Sequence, residues 1–122
     1  MMQIPRIVVA DDDLAILDCI QLILEDEGYK VKTTANGADV PALAKTRPNL
    51  LLLDVWMSGQ DGRKICKKLK GDKATKDLPI IIISANKDTA QIAKEAGAND
   101  FIEKPFEIDD LLAKVKKHVY LD

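Results

Sequence analysis

The chain has 122 residues, 47% of them apolar and 31% charged, with a formal net charge of −2. That length and balance describe one globular domain burying about two-thirds of its unfolded surface, and they exclude a disordered or membrane-embedded chain. A charge so near zero gives no overall pull toward nucleic acid or anionic lipid. No apolar run approaches the roughly 18 residues of a membrane span, and the opening "MMQIPRIVVADDD" lacks the layout of a signal peptide. A cytoplasmic location without membrane contact is therefore expected.

In chain order, "RIVVA" (6–10) reads as a short buried strand, followed by "DDD". Ile16, Leu17, Ile20, Ile23 and Leu24 then recur at helical spacing, with Asp13 placed to N-cap this helix and Gly28 to end it. "YKVKTT" (29–34) alternates like a strand with one wetter face, which suits a sheet edge. Asn36-Gly37 turns the chain into a helix around 38–46, where Pro41 is tolerated because the first N–H groups of a helix lack partners anyway.

"NLLLLD" (49–54) is an unbroken apolar run, the signature of a strand buried on both faces. A loop with Gly59 and Gly62 leads to a helix bearing Ile65, Cys66 and Leu69 on one face. "LPIIIISA" (78–85) is another buried strand, 88–96 an alanine-rich helix closed by Gly97, and "DFIEK" (100–104) a fifth strand. The last helix, 107–120, carries Ile108, Leu111, Leu112, Val115 and Val119 on one stripe. Its acids Asp109 and Asp110 start it and Lys116, Lys117 and His118 end it, which complements the helix dipole. Five βα units imply an α/β fold, a doubly wound five-stranded parallel sheet with helices on both faces.

Cys19 and Cys66 lack metal-ligand spacing and read as two small core residues in a reducing compartment. His118, the single histidine, reads as an exposed helix-end cation. One histidine excludes a multi-histidine metal site. The lysine-rich "KLKGDKATK" (68–76) has no interleaved aromatic residue and reads as a solvated helix end, so no direct nucleic-acid binding is expected.

The chemistry lies at the strand ends. Parallel sheets bring the C-terminal ends of all strands to one edge, where ligands bind. Here the first strand ends in Asp11, Asp12 and Asp13, the third in Asp54, the fourth in Ser84 and the fifth in Lys104. Two carboxylates about 4 Å apart repel by roughly 4 kcal/mol at an effective dielectric near 20. Capping a helix needs one acid, so Asp11, Asp12 and Asp54 converging on one pocket call for a divalent cation. An all-oxygen ligand set points to Mg2+, with Mn2+ as the alternative, over zinc. With Lys104 as a second cationic clamp and the Ser84 hydroxyl as a donor, this is a phosphoryl-transfer site in which Asp54 is the nucleophile.

"IVVADDD", "LLLLDVWMSGQDG", "PIIIISA" and "FIEKPF" together resemble, in order and spacing, the receiver domain of two-component response regulators. The resemblance spans nearly the whole chain and implies a single receiver domain over residues 1–122. It implies a flavodoxin-like fold with strand order 2-1-3-4-5, a phosphoacceptor signalling domain rather than an enzyme. By position, Asp54 corresponds to the phosphoacceptor, Asp12 to the direct Mg2+ ligand, and Asp11 to a ligand acting through water. The backbone carbonyl of Trp56 corresponds to another ligand, Ser84 to the switch hydroxyl, and Lys104 to the family lysine, with Lys104–Pro105 cis. Phe101 corresponds to the switch aromatic that turns inward on phosphorylation.

Trp56 and Asn86 occupy the two positions that tune the lifetime of the phosphoryl group, and a bulky Trp56 is expected to shield it from water. Ser58 stands where many relatives have proline, which implies a freer loop backbone. The implied donor is a sensor histidine kinase or a histidine phosphotransfer protein. The implied output is a downstream protein target docking on the 88–120 face, with the fourth helix as a weakly anchored moving part. Ala90, Ala93 and Ala96 are small and give that helix little to pack with. The domain would be a monomer or a phosphorylation-dependent dimer, either stand-alone or excised from a larger regulator or hybrid kinase.

Three rival readings were weighed. A phosphohydrolase of the haloacid dehalogenase type needs a second Asp two residues after the nucleophile, where this chain has Trp56. A flavodoxin-like cofactor binder needs a phosphate loop after the first strand, where this chain has three acids. A receiver-like interaction module that has lost phosphorylation would not be expected to keep Asp11, Asp12, Asp54, Ser84 and Lys104 together.

Overall fold

Three segments of the chain are apolar through and through, and they form the middle of the sheet. A computed structural model describes residues 4–57 and 59–119. Its strands are β1 (Arg6–Ala10), β2 (Lys30–Thr34), β3 (Leu50–Asp54), β4 (Ile80–Ser84) and β5 (Asp100–Glu103). They form one parallel sheet in the order β2-β1-β3-β4-β5, as the resemblance implied. The helices are α1 (Leu14–Asp26), α2 (Val40–Ala44), α3 (Gly62–Gly71), α4 (Thr89–Ala96) and α5 (Ile108–Val119).

Strand alternation splits the core into two layers. Ile7, Val9, Leu50, Leu52, Ile81, Ile83 and Ile102 pack against α1 and α5. Val8, Ala10, Leu51, Leu53, Ile80 and Ile82 face α2, α3 and α4. All four leucines of β3 are inaccessible to water, and each such burial stabilises by about 1.5–3 kcal/mol. The edge strand β2 alternates exposed and partly buried residues, as its wetter pattern predicted.

The helix ends follow the sequence. Asp13 Oδ1 accepts from the N–H groups of Ala15 and Ile16 at 3.0 and 3.2 Å. Gly28 and Gly97 take left-handed φ values of 95° and 81° beyond the last turns of α1 and α4. The segment expected as a helix over 38–46 is a 3-10 turn, Gly37–Asp39, followed by the short α2.

Several local expectations differ. The loop after β3 contains a two-residue antiparallel ribbon, Trp56–Met57 against Gln60–Asp61, with Gly59 at φ 82°. Cys66 is buried as expected, but Cys19 points to solvent, because α1 turns its Leu17, Ile20 and Leu24 stripe inward. His118 is buried rather than exposed and meets Asp100 of β5. Ile108 of the α5 stripe is exposed. Ser58 and Tyr120 lie outside the described residues.

Candidate functional site

The register of the sheet decides which residues share its C-terminal edge. Ala10 of β1 is level with Leu53 of β3, so Asp11 and Asp54 leave adjacent strands side by side. Asp54 is level with Ile83, which puts Ser84 one residue beyond it. Ser84 is level with Glu103, and Lys104 follows immediately. The order of strands reverses between β1 and β3, the crevice where doubly wound sheets bind ligands.

Asp11 is wholly buried and held from both ends. Its N–H donates to the Thr34 carbonyl at 3.2 Å, and its Oδ1 accepts from the Asp13 N–H at 2.9 Å. Lys104 Nζ lies 2.8 Å from Asp11 Oδ2 and 3.4 Å from Asp54 Oδ1, so one ammonium spans two carboxylates. Carboxylate oxygens of Asp11, Asp12 and Asp54 lie within 4.8 Å of one another, with Asp12 the exposed member.

The electrostatics match that crowding. Burial first, and then the Asp11 charge, push the Asp54 carboxyl up to about 6, against the opposing pull of Lys104. Burial works against the Lys104 ammonium, yet Asp11 and Asp54 hold its pKa above the ordinary lysine value. A pocket with three acids and one lysine is short of positive charge. Its donors are all hard oxygens at one end of a rigid sheet, which fits a divalent cation of the Mg2+ type.

Around this centre stand the other residues singled out from the sequence. Ser84 is buried, and its Oγ accepts from the Asn86 N–H at 2.9 Å, while Asn86 itself is exposed. Thr89 adds support that sequence reading missed: its hydroxyl donates to the Asn86 carbonyl at 2.6 Å, and the Ser84 carbonyl lies 3.5 Å away. Lys104–Pro105 is cis. Trp56 is 57% exposed, so its indole stands at the rim of the site rather than in the core. Phe101 is half-buried against the α2/α3/α4 layer.

Gly62 is a second omission. It opens α3 directly over the third strand, where a Cβ would fall on the Asp54 carbonyl oxygen and within 3.0 Å of that of Val55. The signal was the "DG" at 61–62, which marks a turn into a helix. Asp61 indeed caps α3, accepting from the Arg63 N–H at 2.9 Å. Its proximity to Asp54 is tertiary and invisible in the motif.

Residues 7–116 match the family model of the response regulator receiver domain. The DNA-binding dual master transcriptional regulator RpaA of Synechocystis sp. is 36% identical over 116 residues, covering 92% of this chain and 48% of that protein. The chain thus spans about half the length of the curated relatives it matches. A CheY-like response regulator receiver domain protein from Methanospirillum hungatei superposes with a TM-score of 0.86 at 31% identity, over 96% of this chain and 94% of that one. The signal receiver domain of a histidine kinase from Syntrophus aciditrophicus gives 0.84 at 31% identity, over 94% and 89%. The chain belongs to the response regulator receiver domain family of two-component phosphorelays.

Proposed function

We propose that Asp54 accepts the phosphoryl group, and that the donor is a phosphohistidine of a sensor kinase or of a histidine phosphotransfer protein. The observation that carries this is the placement of Asp54 within reach of Asp11, Asp12 and Lys104 at the reversal point of the sheet. A carboxylate oxygen of Asp54 bonds to phosphorus as the bond from phosphorus to the donor imidazole nitrogen breaks, leaving the imidazole with the electron pair. Lys104 sits where it can stabilise charge growing on the transferring oxygens, and the Ser84 hydroxyl can donate to the product.

Asp11, Asp12, Asp54 and the Trp56 carbonyl are the residues that would hold Mg2+. When bound, the ion supplies charge neutralisation of the acids and of the phosphoryl oxygens. In its absence the Asp54 carboxyl, at about 6, is partly protonated in mildly acidic solution and is then no nucleophile.

The product carries a charge near −2 and additional acceptor oxygens. These would draw in the Ser84 hydroxyl and free the space into which Phe101 turns. Output is proposed to run through protein contacts on the face built from 88–120, without direct nucleic-acid binding by this domain and without catalysis of another substrate. A cytoplasmic setting suits the donor; no helix among the described residues is long and apolar enough to cross a membrane.

The test is intact-mass measurement after incubation with acetyl phosphate and Mg2+. One added phosphoryl group is expected in the parent and none in Asp54→Ala. A parent that gains no mass overturns the function, and a variant that still gains it overturns the site.

A further inference from the structure

The residue before Phe101 in the fifth strand is bound from three directions. Asp100 Oδ1 accepts from the Phe101 N–H at 2.8 Å and lies 3.3 Å from Lys114 Nζ, while Asp100 Oδ2 meets His118 Nε2 at 2.8 Å. Lys114 and His118 are four residues apart on α5, so one face of that helix presents both to the same carboxylate. Burial alone would raise the Asp100 carboxyl; the His118 hydrogen bond, the Phe101 N–H and Lys114 together hold it below the ordinary range. The His118 ring is itself buried, and its Nδ1 has no partner among the described residues, so the pairing with Asp100 is what fixes the ring.

Lys114 does more than pair with Asp100. Its ammonium donates to the Phe101 carbonyl and stands 4.2 Å from the centre of the Phe101 ring. A cation over an aromatic face attracts it, and an ammonium already anchored by a carboxylate and a carbonyl loses little further freedom in doing so. The ring, the carbonyl and the preceding side chain of one strand are all gripped by α5.

We propose that Lys114, fixed by Asp100 and His118, is a positioning residue that latches Phe101 in its half-exposed orientation and so sets the resting bias of the switch. This rests on the reading of Phe101 as the switch aromatic. Turning the ring inward forfeits the contact with the ammonium, while the bond to the Phe101 carbonyl and the pair with Asp100 are backbone-anchored and persist. The latch therefore favours the resting orientation specifically, and because it binds one state better than the other it shifts their populations.

The chain has two phenylalanines, Phe101 and Phe106, so protein labelled with 4-fluorophenylalanine gives two fluorine resonances, assigned through Phe106→Leu. In Lys114→Met, and in Lys114→Gln as a polar control, the Phe101 resonance should move toward its position in the phosphorylated parent. Phosphoryl uptake from acetyl phosphate should be about two- to five-fold faster, the ratio that an exposed cation–π contact supports. Lys114→Arg should restore the parent resonance and rate, and His118→Ala should show a smaller change of the same sign. A parent-like resonance and rate in both Lys114→Met and Lys114→Gln would overturn the latch. If the parent gains a phosphoryl group on Asp54 while its Phe101 resonance stays still, the switch reading falls instead and the latch falls with it.

Discussion

Gly62 and Asp54 share one small volume: α3 begins so close to the end of β3 that any side chain at 62 would overlap the Asp54 carbonyl oxygen. The Gly62 N–H in turn donates to the Val55 carbonyl at 2.5 Å. The backbone that carries the nucleophile is thus fixed from the solvent side by a helix start as well as from the core by its leucines.

Gly62→Ala is accordingly expected to be destabilising by about 1–3 kcal/mol, the range for overpacking a tight site. The relief must come from moving either α3 or the end of β3, and the second displaces Asp54. Phosphoryl uptake should then fall in the folded fraction. Urea unfolding and uptake measured on the same preparation check this; a variant with parent stability and parent uptake would show that the helix start yields freely.

The titration of Asp54 gives a pH dependence with a definite sign. A carboxyl raised to about 6 in the folded chain, against an ordinary value near 4, favours the folded state while protonated. That contribution is complete below about pH 4 and is lost as the pH rises through about 6. In chelator-treated protein, Asp54→Asn should therefore be more stable than the parent at pH 7.5, by roughly 1–2 kcal/mol after allowing for water at the mouth of the pocket. The advantage should vanish near pH 4, and adding Mg2+ should stabilise the parent far more than the variant. Urea midpoints across pH 4–8 measure it; an advantage that does not change with pH would contradict the assignment.

Lys104 carries an obligation that its partial exposure hides. Asp11 is wholly buried, and Lys104 is the ammonium 2.8 Å from it. Lys104→Met should cost about 3 kcal/mol, as for a buried pair broken on one side, and should raise the Asp54 carboxyl further, since Lys104 is what lowers it. The double variant Lys104→Met with Asp11→Asn should recover much of that stability without recovering phosphoryl uptake. Thermal melts together with intact mass separate the two effects.

The sequence was most legible where a local rule and the global fold agree. Unbroken runs such as Leu50–Leu53 can only be strands buried on both faces, and once five such units alternate with helices, Asp11, Asp54, Ser84 and Lys104 must share an edge. Asp13 was a readable cap for the same reason. His118 was misread because a cation at a helix end is the usual pattern, whereas its burial depends on Asp100, which lies 18 residues away in sequence. Cys19 was misread because its helix positions, one removed from Ile20, do not declare which side of the stripe faces the sheet. The ribbon at 56–61 and the pressure of Gly62 on Asp54 arise from tertiary proximity, for which composition and periodicity hold no signal.

Trp56 separates timing from stability. With 57% of its surface exposed, it contributes little to the core, so Trp56→Asn should change the unfolding free energy by no more than about 0.5 kcal/mol. Its backbone pairs with Asp61 in the short ribbon whose far end leads into Gly62, so the indole is held on a fixed frame beside the nucleophile. An apolar wall there slows the approach of water to an acyl phosphate, and the variant should lose its phosphoryl group faster than the parent. The sole tryptophan also reports on the neighbouring acids, and its fluorescence should change on Mg2+ titration in the parent but not in a variant lacking Asp11 and Asp12 carboxylates. Dephosphorylation followed by mass after removal of acetyl phosphate decides the matter: equal lifetimes in parent and Trp56→Asn would show that the indole stands aside from the path of the water.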